Sequence, residues 1–155
     1  MEGSKILNCE IVKSEIFAKM KDSSYYIGES MKSDPRAVEL AAKIQASDDE
    51  DPKLIDIMSN AVSVVANIIS SMVGETSYEQ TDDSLVFTVR AKSNVPDYME
   101  SQLSGYITNY MSTYILYGWL ELVSPESAKT FNESLSRLEK EIRILGSRRT
   151  KPERP

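Results

Sequence analysis

Residues 52–73 constrain this chain more than any other stretch. Leu54, Met58, Ala61, Val65, Ile68 and Met72 recur at alternating spacings of four and three, the period of one helix face. Ile55, Val62 and Ile69 add a second row, and Ile57 and Val64 part of a third. The apolar arc is therefore wider than a single core-facing stripe needs. Such a helix has to be covered on more than one side, by its own chain or by neighbouring subunits. Gly74 supplies its natural stop.

Other helix starts are written in prolines. Proline is well placed in the first helical turn, where its missing N–H has no partner to lose. A small capping residue precedes proline at Asp34-Pro35, Asp51-Pro52 and Ser124-Pro125, and more loosely in Asn94-Val95-Pro96-Asp97. The pattern predicts a short helix over 35–45, burying Val38, Ala41 or Ala42, and Ile44. Upstream, Ile11, Val12, Ile16, Phe17 and Met20 predict a helix over 11–20, with Ser14 able to cap a shorter one. A linker carrying Tyr25, Tyr26 and Gly28 follows. The acidic run Asp48-Asp49-Glu50-Asp51 reads as a helix N-terminus, where carboxylates complement free N–H groups. It lacks the ligand spacing and central glycine of an EF-hand loop.

The period changes over 76–91. Leu85, Phe87 and Val89 alternate with Val86, Thr88 and Arg90, a strand pattern. Thr76 to Gln80 pairs with it across a turn at Thr81-Asp82-Asp83. A lone hairpin is marginal in water, so Leu85, Phe87 and Val89 must face protein. A long helix then spans 96–122, with Met99, Leu103, Tyr106, Tyr110, Thr113 and Tyr117 on one face. Tyr106, Tyr110, Tyr114 and Trp119 give it large amphipathic rings, which suit a core or a subunit interface. The last helix covers 125–145. Ala128, Phe131, Leu135, Leu138, Ile142 and Leu145 form a narrow seam for antiparallel packing on the helix before it.

The fold expected is mainly α: a bundle of four to five helices with one small β-hairpin inserted before the two C-terminal helices. The expected organisation is an N-terminal arm with a short helix over 1–33, a helical domain over 34–146, and a flexible basic tail over 147–155.

Charge is unevenly placed. The net charge is −6. From Arg143 onward there are five basic residues and one acidic, a local +4 that leaves −10 on residues 1–142. A body that acidic repels a duplex backbone rather than gripping it. Arg148, Arg149, Lys151 and Arg154 read either as a solvated terminus or as docking charges for an acidic neighbour, with nucleic-acid contact a third reading.

Chemistry is scarce. The chain has no histidine and one cysteine, Cys9, which removes imidazole bases, internal disulfides and Cys-rich zinc sites. It has no phosphate-binding glycine motif and no pair of acids that stands out. No signal-peptide pattern opens it, and no apolar run reaches the roughly 18 residues a membrane helix needs. The expectation is a non-enzyme without catalytic residue, metal or cofactor, with no membrane partner, made in the cytosol.

Over about residues 34–145 the chain resembles the head–tail connector, or adaptor, proteins of tailed bacteriophages. The resemblance lies in a D-x-x-D-P-x-L-I helix start (Asp48 to Ile55), the apolar helix ending at Gly74, and the hairpin. It continues in Y-I-T-N-Y-M-S-T-Y-I-L-Y from Tyr106, and in the Arg- and Leu-containing terminal helix from Arg137 to Leu145. It implies a virion structural subunit, assembled in the host cytoplasm, that forms a homo-oligomeric ring in the neck. Such a ring meets the portal and neighbouring neck or tail proteins, and DNA passes its lumen without being read. Tyr106, Tyr110, Tyr114, Trp119, Leu85, Phe87 and Val89 are the candidate interface residues. Two readings stand beside it: a tail-completion or tail-associated protein, and a cytosolic helical adaptor binding a protein partner through its 106–119 face.

Overall fold

The computed structural model describes residues 3–45 and 51–150. Helix accounts for 68% of them, in five helices, alongside a three-stranded antiparallel sheet. The elements are β1 (Ser4–Val12), α1 (Lys13–Met31), a 3-10 turn (Pro35–Ala37), α2 (Val38–Ile44), α3 (Asp51–Met72), β2 (Gly74–Gln80), β3 (Ser84–Lys92), α4 (Met99–Val123) and α5 (Pro125–Gly146).

The N-terminal segment departs from the sequence expectation. Ile11 and Val12 end a strand, and the helix begins only at Lys13. The physical cause is the alternation Leu7, Cys9, Ile11, all buried, against Ile6, Asn8 and Glu10, which face outward. The expected linker at Tyr25, Tyr26 and Gly28 is helix as well. Its buried row is Ile16, Met20, Ser24 and Gly28, one residue in every four. Half of that row is small or polar, so hydrophobicity alone does not reveal it.

The hairpin is therefore not alone. The strand order is β1-β3-β2, with β3 at the centre. Leu7 faces Val89, Cys9 faces Phe87 and Ile11 faces Leu85 across the β1–β3 ladder. All six side chains are buried, and this face of the sheet lies on the helices. The β2–β3 turn falls at Thr81 to Asp83 as expected, closed by Thr81 N–H donating to the Ser84 carbonyl at 2.9 Å. Gly74 does more than stop a helix. A Cβ there would stand 2.0 Å from the Arg90 carbonyl oxygen, so β2 enters the sheet at a distance only glycine permits.

The wide apolar arc of α3 is covered within the chain, by α4, α5, β2 and β3. By length and composition α3 is apolar enough to cross a membrane, yet Leu54, Met58, Ala61, Val62, Val65 and Ile69 are buried in this core. Gly118 of α4 lies against Ile57 of α3, where a Cβ would stand 2.7 Å from the Ile57 Cγ2. The helix enclosed on most sides is α4, touched by α1, α2, α3, α5 and β1. In the short helix, Ala41 and Ile44 are buried while Val38 is exposed. The Asp34 cap is made as expected, its carboxylate accepting from Arg36 N–H at 3.0 Å.

The ends of α3, α5 and β3 meet at one end of the bundle. There Arg149 Nη2 donates to the Met72 carbonyl at 2.8 Å and Nη1 to the Gly146 carbonyl at 2.7 Å. Thr150 N–H donates to the Asn94 carbonyl at 2.7 Å beside them. The start of α3, the start of α1 and the hairpin turn meet at the opposite end, where Lys13 N–H donates to the Asp83 carbonyl at 3.0 Å.

Candidate functional site

Most side chains expected at an interface are used inside the subunit. Leu85, Phe87 and Val89 face protein, but that protein is their own chain, and none is exposed. Trp119 is buried, and its indole N–H donates to the Ile44 carbonyl at 2.7 Å, fastening the end of α2 to α4. Tyr110 is buried too, its ring 6.1 Å from that of Tyr114. Burial, then the charge of Glu139, pushes the Tyr110 phenol up to about 12. Tyr106 and Tyr114 are half-buried at the margin of the core.

The basic tail divides in the same way. Arg149 is a helix cap, not a free docking charge: a guanidinium reaches the carbonyl ends of α3 and α5 together, where the helix dipoles favour a cation. Through Thr150 the chain is held down, so the expected free tail does not begin at residue 147. Arg148 is exposed. Lys151 and Arg154 lie outside the described residues, as does the acidic run at 48–50.

Cys9 is shut in. Burial pushes its thiol up to about 11, with the Ser104 hydrogen bond opposing this and the Glu100 charge adding to it. A thiol so held is a small apolar side chain rather than a nucleophile. Among the described residues no group of three or more His, Cys, Asp or Glu side chains gathers to hold a metal ion.

An open groove of about 630 Å³ lies at the hairpin-turn end. Its apolar walls are Val12 at the end of β1, Phe17 of α1, and Ile55 and Met58 of α3. Val12 is 37% and Ile55 47% exposed, so two large aliphatic side chains meet water side by side. Its polar rim is Lys13, Ser14, Asp82 and Asp83. The Lys13 ammonium is turned onto the Thr81 carbonyl at 2.6 Å, and neither aspartate carboxylate holds an ion pair among the described residues. Sequence reasoning missed this site because three segments far apart in the chain build it. The available signal was Ile55, which belongs to the second apolar row of α3 and stays exposed.

Comparisons with protein-family models, curated proteins and solved structures found no match to this chain.

Proposed function

We propose that this protein is a head–tail connector subunit, a structural component of a tailed-phage virion. It assembles as a ring in the neck, meets the portal and neighbouring neck or tail proteins, and lets DNA pass. The observation that carries the reading is the order of elements behind the D-x-x-D-P-x-L-I start: apolar α3, hairpin β2–β3, tyrosine-rich α4 and terminal α5. The acidic body supports it, because a lumen of like charge does not hold DNA in place. The groove supports it as well, being apolar surface that one chain leaves uncovered. Burial of Tyr110 and Trp119 removes those two side chains from the binding face of the adaptor reading and from the subunit interface of the ring reading alike.

The test is the absolute mass in solution by light scattering, across a concentration series, alone and with a purified portal ring. The expected result is a closed oligomer, a fixed multiple of 17.4 kDa, or a fixed number of copies bound per portal. A 17.4 kDa monomer under both conditions overturns the reading.

A further inference from the structure

The groove and Thr150 lie at opposite ends of the described structure. Thr150 is pinned to Asn94, just past the end of β3, whereas Asp82 and Asp83 sit just before its start. Nine strand residues separate the two by roughly 30 Å. Helix α3 gives a second ruler: Arg149 caps Met72 at one end, and Ile55 lines the groove at the other, about 25 Å apart along the helix. Residues 151–155 reach at most about 18 Å when fully extended. The segment cannot enter the groove of its own chain.

We propose that the groove receives residues 151–155 of a neighbouring copy. The segment is Lys-Pro-Glu-Arg-Pro. A polyproline-type strand has three residues per turn, which lines up Pro152 with Pro155 and Lys151 with Arg154, and turns Glu153 to a third side. The two proline rings then lie on Val12, Phe17 and Ile55, and the two cations meet Asp82 and Asp83. Stiff proline-rich segments dock on apolar grooves at low entropic cost. Joining unlike ends of two copies is a heterologous contact, the kind that builds rings. The inference deepens the ring reading and rests on it for the presence of the neighbour.

The test is a charge swap on the full chain, with the concentration for half-assembly read by light scattering. Asp82 and Asp83 are exposed, so circular dichroism of D82K/D83K is expected to match the unaltered chain. D82K/D83K and K151E/R154E are each expected to raise the half-assembly concentration at least tenfold, and the chain carrying all four substitutions to restore it. Unchanged assembly in either double variant, or no restoration in the combined one, overturns the proposal and leaves the ring reading intact. If the unaltered chain stays monomeric even with a portal, the ring reading falls instead. A peptide of residues 148–155 titrated into the full chain then decides. Amide shifts centred on Val12, Phe17 and Ile55 keep the groove as its site, and their absence removes it.

Discussion

At the end of the bundle where α3 and α5 stop, Arg149 satisfies carbonyls of both helices. Thr150 ties the chain to Asn94, and Gly74 lets β2 close on the backbone of Arg90. At the end where α1 and α3 begin, Val12 and Ile55 stand in water and two carboxylates have no ion-pair partner among the described residues. One end is closed by hydrogen bonds from its own chain, with Ile6 and Ile144 still exposed near it, and the other is left as an open groove. The open end is where a partner gains most, because its apolar surface is already gathered in a concave site.

The comparison can be broken at three places. Gly74→Ala should have the largest effect. Its Cβ must displace a backbone oxygen rather than a mobile side chain, which costs about 3 kcal/mol, at the upper end for overpacking. A denaturant midpoint within experimental error of the parent would mean that the closed end is looser than its geometry. Arg149→Ala comes next, at about 1.5 kcal/mol, because charged hydrogen bonds to two helix ends are lost. Arg149→Lys should recover little of this, since one ammonium replaces a fork. The smallest effect belongs to the open end: Ile55→Ser should change stability by no more than about 0.5 kcal/mol. If urea unfolding gives Ile55→Ser the larger cost, the groove wall is core and the two ends are alike.

Sequence periodicity carried α3, the hairpin, α4 and α5 to within a few residues, because each has one dominant period and a proline or turn at its boundary. It failed at the N-terminus for a definite reason. Ile11 and Val12 satisfy a strand ending at Val12 and also a helix continuing to Met20. The deciding partner is β3, far along the chain. The tyrosine stripe was legible as a burial signal, but periodicity does not say whose atoms cover it. Trp119 answers to Ile44 of the same chain, a contact no local pattern encodes. Arg149 reads as one more tail cation until the ends of two helices are seen to meet there. The groove was the least legible, since its three segments, at 12–17, 55–58 and 82–83, are far apart in the chain.

The ladder between β1 and β3 also sets a timetable. Ser4 pairs with Lys92 and Val12 with Ser84, so β1 leaves the ribosome well before its partner β3. Closing so long a loop slows folding. Until then β1 has an unpaired backbone edge and a bare apolar face at Leu7, Cys9 and Ile11, open to pairing with another nascent chain. Slower synthesis before residue 92 should lower the yield of native protein, whereas the same delay placed within α5 should cost little.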